Sequence, residues 1–231
     1  MKPNYFILLS IVLLMASCGT QKQTVTEKIV IPPPAGVEVM DVETKVFSSL
    51  KLPNNDNWVD KTKDATWRSD ENVVKKMDGN KTVSVIRTMT FHNGNVDLND
   101  TVAILKSINS NAGMLLGYND YHFKKDGDGN PIETPVYTTK IITISNGTKV
   151  ILMEAEVKNT IESSRIFGNS YYARNYFILA NREDGEKCIP VVFSAVALTP
   201  DNYTIDKQKH IELVDYVVKA AELKPEYIFK N

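Results

Sequence analysis

The chain has 231 residues, with 27 lysine and arginine against 28 aspartate and glutamate, a net charge of -1 and 42% hydrophobic content. That is the balance of a globular protein able to bury a sizeable core. It holds no surplus of basic charge to neutralise a phosphate backbone, so no nucleic-acid partner is expected.

The chain opens on Met1-Lys2, and the apolar stretch from Tyr5 to Met15 holds 11 residues. As a helix it would reach roughly 16 Å, about half of a ~30 Å hydrocarbon core, which is too short for a comfortable membrane span. A basic start, an apolar centre of this length and small residues behind it are the marks of a secretory signal peptide. Here the small residues Ala16-Ser17 stand directly before Cys18. Met15-Ala16-Ser17-Cys18 resembles the lipobox of bacterial lipoproteins, with Met15 in the place more often held by leucine. The resemblance implies that residues 1–17 are removed as a signal peptide. It also implies that the Cys18 sulfur carries a diacylglycerol and that the new amino terminus is acylated with a chain such as palmitate. Two or more chains, at ~0.8 kcal/mol per buried CH2, hold a protein on a membrane stably. An ordinary signal peptide with an incidental cysteine is the plain alternative.

Gly19-Thr20-Gln21-Lys22-Gln23 follows Cys18 and has no aspartate at its head. It therefore does not resemble the inner-membrane retention signal of enterobacterial lipoproteins, and it lacks the acidic run that resembles the surface-display signal of some Bacteroidota lipoproteins. The expected location is the outer membrane of a bacterial envelope, facing the periplasm. With Cys18 consumed by lipid, Cys188 has no intramolecular partner and no disulfide is expected. Cys188 lies in the strand-like run Glu186 to Phe193, where a free cysteine behaves as a small hydrophobe. Nothing beside it in sequence would lower its pKa for nucleophilic work.

Residues 18–45 read as a lipidated tether, because Pro32-Pro33-Pro34 favours extended backbone and denies a ladder its N–H groups. The alternative is that Thr24 to Ile31 and Val37 to Val42 add strands to the folded part. The domain is expected over 46–224, with 225–231 as a carboxy-terminal tail. Pro53 to Trp58 is a turn-rich corner closing on an aromatic. Asn72 to Met77 and Thr82 to Thr90 flank Asp78-Gly79-Asn80, a hairpin signal, and the second strand has apolar positions on both faces, as a central strand would. A short helix capped at Ser69-Asp70-Glu71 and ended by Gly79 is the competing reading.

Asp97 or Asn99 can cap an amphipathic helix with Val102, Leu105 and Ile108 on its stripe and Gly113 as its stop. Val136 to Ser145 and Thr148 to Lys158 are joined by Asn146-Gly147, the strongest two-residue hairpin signal. In the second of these strands Ile151, Met153, Ala155 and Val157 share one face, and Leu152, Glu154, Glu156 and Lys158 the other. Tyr171 to Asn181 pairs with Lys187 to Leu198, part of which Pro190 assigns to an edge or a bulge. A second helix begins at Thr204 or Asp206, carries Ile211, Val214, Val217, Val218 and Ala221 on one face, and ends before Pro225.

These elements predict a single α+β domain: an antiparallel β-sheet with two main α-helices packed on it. The order of a tryptophan corner, a hairpin, a helix, long strands and a closing helix is similar to the PsbP-like α/β/α sandwich, over roughly Val46 to Leu223. The likeness is one of element order, and no functional residue is carried over from it.

Asp126-Gly127-Asp128-Gly129-Asn130 begins like a calcium loop, but Pro131 and Tyr137 stand where that loop needs its glycine and its bidentate glutamate. A connection between strands accounts for it better, and no metal is expected. Glu154 and Glu156 lie ~6.5 to 7 Å apart on one strand face, a spacing open to paired-carboxylate chemistry. A solvated polar face beside Tyr137 and Thr139 accounts for them more simply. His92, His122 and His210 are scattered, and the default for each is a surface or partly buried side chain. Tyr118, Tyr121, Phe123, Tyr171, Tyr172, Tyr176 and Phe177 could line a groove, although strand aromatics more often fill a core. No nucleophile elbow, phosphate loop or dinucleotide fingerprint is present. No catalytic residue or cofactor is therefore assigned, and Cys18 is the one site expected. The function expected is that of a non-enzymatic envelope lipoprotein, binding or structural, with an envelope protein, a cell-wall component or a small molecule as partner. A lipid-tethered hydrolase with a nonstandard carboxylate site is the alternative.

Overall fold

The computed structural model describes residues 31–64, 72–92, 100–110, 127–128, 137–144, 148–157, 170–181, 187–199 and 205–227. All of them belong to one compact unit, Ile31–Asn231. Its framework is an eight-stranded sheet built from β3 (Trp58–Asp60), β4 (Asn72–Asp78), β5 (Lys81–His92), β6 (Tyr137–Thr143), β7 (Lys149–Val157), β8 (Tyr171–Ile178), β9 (Ala180–Asn181) and β10 (Lys187–Ala197). The spatial order is β3-β4-β5-β10-β8-β7-β6, with β9 paired to β10. Every pairing is antiparallel. A second, three-stranded sheet sets β2 (Phe47–Pro53) between β1 (Val39–Val42) and β11 (Glu222–Leu223). Two α-helices, α1 (Thr101–Ser110) and α2 (Ile205–Ala220), and two 3-10 turns, Thr62–Asp64 and Pro225–Tyr227, complete the described elements.

Strand alternation decides which helix meets which face. Ile151, Met153 and Ala155 of β7 and Phe177 of β8 cluster with Ile104 and Ile108 of α1. The alternate residues Val150 and Leu152 of β7, Tyr176 of β8 and Val192 of β10 cluster with Leu213, Val214, Val217 and Val218 of α2. Successive side chains point to opposite faces of a strand. The large sheet is therefore the middle layer, with α1 on one face and α2 on the other. The small sheet shares the α2 layer through Phe47, Leu50 and Leu52. A mixed α+β domain with two helices on an antiparallel sheet is thus what the chain forms, and strands dominate it.

Several boundaries move from their expected places. Val39–Val42 pairs with β2, Val39 opposite Pro53 and Val42 opposite Leu50, so the folded unit begins before Val46 and the tether cannot extend to residue 45. At the other end Pro225–Tyr227 is a 3-10 turn whose Tyr227 is 4% exposed within the core, so residue 225 does not begin a tail. The α1 cap is Asp100, whose Oδ1 accepts the Ala103 N–H at 2.9 Å, in place of Asp97 or Asn99. That start rotates the buried stripe to Ile104 and Ile108 and leaves Val102 77% exposed.

Pro190 sits inside β10, between β5 and β8, and not at an edge. Its missing N–H falls where the pairing of β10 is interrupted, between Val191 opposite Phe177 and Cys188 opposite Ala180. The hairpin at Gly79 forms as expected, with Asp78 opposite Lys81 and Gly79 at a φ of 56°. The competing helix over this stretch does not form, since Asn72–Asp78 is strand. The Pro53 to Trp58 corner turns through positive φ at Asp56 and Asn57, residue types that tolerate it, and sets Trp58 against the core. Thr24 to Val30, the segments around Asn146 and Asp184, and Lys158 lie outside the described residues.

Candidate functional site

The polar groups of the interior gather where α2 crosses β8. On β8 the residues Tyr172, Arg174 and Tyr176 alternate onto the α2 face, and Arg174 is 8% exposed. A guanidinium so placed needs partners for its donors, because burying an unpaired charge costs several kcal/mol. The sheet supplies one partner by register: Glu154 of β7 stands directly opposite Arg174. The helix supplies the other, Asp215.

Each partner closes a triangle with a tyrosine. Arg174 Nη1 donates to Glu154 Oε2 and, at 3.2 Å, to the Tyr172 hydroxyl, which itself donates to Glu154 Oε2 at 2.8 Å. Arg174 Nε donates to the Tyr176 hydroxyl and to Asp215 Oδ1, both at 2.9 Å, and the Tyr176 hydroxyl donates to the same Asp215 oxygen. Arg174 Nη2 adds a contact of 2.9 Å to Asp215. Burial opposes the charge of Arg174, but Tyr176, Tyr172 and Asp215 outweigh it and raise its pKa. Burial also raises the pKa of Tyr172 and Tyr176, so both phenols keep the protons they donate. Lys140 of β6 reaches Glu154 Oε1 at 3.7 Å from the rim. Glu156, one pleat further, is bound by Lys207 of α2, whose Nζ also lies 4.7 Å from the centre of the Tyr172 ring.

A second group lies beside this one. His210 of α2 is 4% exposed, with Nδ1 3.1 Å from Ser84 Oγ of β5 and Nε2 3.1 Å from Ser194 Oγ of β10. Ser194 commits its hydroxyl hydrogen to the Arg174 carbonyl at 2.6 Å, so it receives a hydrogen from Nε2. That places a hydrogen on Nε2, while the one Ser84 hydroxyl hydrogen has two acceptors in reach, Nδ1 at 3.1 Å and the Ala195 carbonyl at 3.3 Å. The Asn175 side-chain oxygen accepts the Ser194 N–H at 3.2 Å, so side chains join β8 to β10 at this point. Burial, with a smaller effect of Arg174, holds the His210 pKa down at about 3.

The two clusters bind helix to sheet, and their donors and acceptors are matched to one another. Glu154 and Glu156 do share a face, but each has a cation bound to it. Tyr137 and Thr139 lie on the opposite face, since Thr138 is the residue across from Glu154. The expected solvated carboxylate face is corrected in part: Glu154 and Glu156 are half-buried and ion-paired, to Arg174 and to Lys207 of α2. His210 is fully buried, against the surface or partly buried position expected for it. Tyr171, Tyr172, Tyr176 and Phe177 are core residues and line no open groove. Among the described residues no three His, Cys, Asp or Glu side chains form a metal-binding set. No described helix is long and apolar enough to cross a membrane.

Cys18, His122, Tyr118, Tyr121 and Phe123 lie outside the described residues, as does the 126–130 segment apart from the exposed turn at Gly127 and Asp128. Cys188 takes its place in β10 opposite His92 of β5. Arg174, Asp215, Lys207, Ser84 and Ser194 went unmarked in the sequence reading. The signal that finds the first of them is an arginine centred between two tyrosines on the core-facing positions of a strand.

No family model matches the chain, and no curated protein matches it. Among solved structures it is similar to the Ran-binding protein Mog1p of Saccharomyces cerevisiae, at 13% identity and a TM-score of 0.42, over 79% of this chain and 89% of that one. A likeness at that level assigns neither a fold family nor a function.

Proposed function

We propose that the protein is a bacterial lipoprotein, anchored through acyl chains on Cys18 to the periplasmic side of the outer membrane, whose folded unit is a non-enzymatic binding or structural module. The observation that carries the reading is the 11-residue apolar run from Tyr5 to Met15 leading through Ala16-Ser17 to Cys18. The Pro32-Pro33-Pro34 stretch ahead of β1 is consistent with a spacer between anchor and domain. We read the finer architecture as a PsbP-like α/β/α sandwich, and the sequence of helix, sheet and helix layers supports that reading. A role in binding an envelope protein, a cell-wall component or a small molecule is favoured over hydrolysis through Glu154. The Glu154 carboxylate is already occupied by Arg174, Tyr172 and Lys140.

Intact-mass analysis and radiolabelled palmitate incorporation test the anchor. Wild type is expected to carry acyl mass and to fractionate with the outer membrane, and Cys18→Ala to lose both; an unacylated wild type overturns the proposal. Crosslinking in intact cells tests the module, and failure to capture any recurrent protein or glycan partner removes the binding role. Hydrolysis of glycans, peptides or esters by the purified chain, abolished in Glu154→Gln, would establish the hydrolase instead.

A further inference from the structure

The contacts of His210 differ in kind from those that hold the rest of α2. The second half of the helix is seated by apolar packing of Val214, Val217 and Val218. Its first half is seated by polar groups, Lys207 on Glu156 and His210 on two serines from two strands, and Asp215 adds one more polar contact, to Arg174, in the second half.

We propose that His210 is an acid-released latch, whose protonation detaches the first half of α2 from β5 and β10. Among the described residues, none of the carboxylates facing this part of α2 is paired with His210. Beside His210, β5 presents Ser84 and Ile86, and β10 presents Val192, Ser194 and Val196, none of them charged. On the same face β4 places Lys76 opposite Ser84, and β8 places Arg174 and Tyr172, whose ring meets the imidazole edge to face at 6.5 Å and whose phenol stays protonated. The carboxylates of this face are engaged elsewhere: Glu154 and Asp215 hold Arg174, and Glu156 holds Lys207. Asp206 and Lys207 stand one turn earlier on α2 itself, and Leu213 and Val214 one turn later. Both contacts of the ring nitrogens are to hydroxyls. The imidazole is thus neutral while docked and gains a proton readily only once it leaves.

The sign follows from linkage. Docking holds the His210 pKa at about 3 against an ordinary 6.5, so the released form binds more protons between them, and opening is favoured as pH falls through that window. From pH 7.5 to 5.5, above the ordinary carboxylate range, the opening equilibrium should rise about tenfold.

Amide hydrogen exchange on the full chain reads this out, with α2 compared against β7 as an internal reference. The expected result is a tenfold loss of α2 protection factors from pH 7.5 to 5.5 with β7 unchanged; α2 protection that stays flat overturns the latch. His210→Gln keeps a donor for Ser194 without titrating and should abolish the pH dependence, whereas the same acid loss in H210Q also overturns it. Should H210Q fail to fold, the His210 ring resonance in labelled wild type decides. Titration near pH 6.5 while α2 stays protected refutes the proposal; protonation only in the released population supports it.

Discussion

Arg174 is the residue on which the α2 interface turns, because its guanidinium is satisfied from three directions by groups that would otherwise repel or stand unpaired. Arg174→Ala brings Glu154 and Asp215 into the same pocket without their cation and leaves two phenol hydroxyls short of a donor. The expected loss is about 3 to 5 kcal/mol in urea unfolding, the range for breaking a buried ion pair from one side. Glu154→Gln keeps an acceptor for Tyr172 and Arg174 and should lose about 1 to 2 kcal/mol. Equal losses in the two variants would show that the charge of Arg174 is not what matters. The sequence held half of this site in plain view. Glu154 and Glu156 could be placed on one strand face by alternation, but their partners come from β8, 20 residues on, and from α2, 51 residues on. No local spacing encodes such a meeting.

Helix α1 shows how narrowly an element can be misread when its existence is plain. Its apolar content predicted a three-turn helix, and the misplaced features were the cap, expected at Asp97 or Asn99, and one side of the stripe. Asp100 receives the Ala103 N–H, and Ile108 faces the sheet as expected, but its fully buried companion is Ile104, four residues before it, and not Val102. Leu105 retains partial contact with that core. Substitutions separate the two registers: Ile108→Ala should lose about 2 to 4 kcal/mol, while Val102→Ala should stay within about 0.5 kcal/mol. Asp100→Ala should cost about 1 kcal/mol. Thermal unfolding of the three variants checks the ranking, and a Val102 effect as large as that of Ile108 would refute the observed register. Hairpin partners were legible because an Asp-Gly or Asn-Gly pair fixes its neighbours. Pro190 was misplaced because its penalty depends on whether the neighbouring strand needs that N–H, and the break between β8 and β9 removes the need.

At the scale of the whole molecule, the first and last described strands meet on one partner. Val39–Val42 and Glu222–Leu223 flank β2 on its two sides, and Tyr227 is buried behind them. Tyr227→Ala should therefore lose about 3 to 4 kcal/mol, the range for emptying an aromatic core site, measured by chemical denaturation. A dispensable tail would lose nothing. The layer arrangement was legible from element order, but these two boundaries were not, because a four-residue strand and a single terminal aromatic give too short a pattern for periodicity to register. The central place of β2 also sets a timetable. Phe47 must wait for Leu223, 223 − 47 = 176 residues later in the chain, before its outer ladder can close. Phe47, Leu50 and Leu52 thus spend synthesis without their final cover, an interval in which exposed strand and apolar surface invite self-association. A chain built this way has reason to depend on an escort until its last strand arrives.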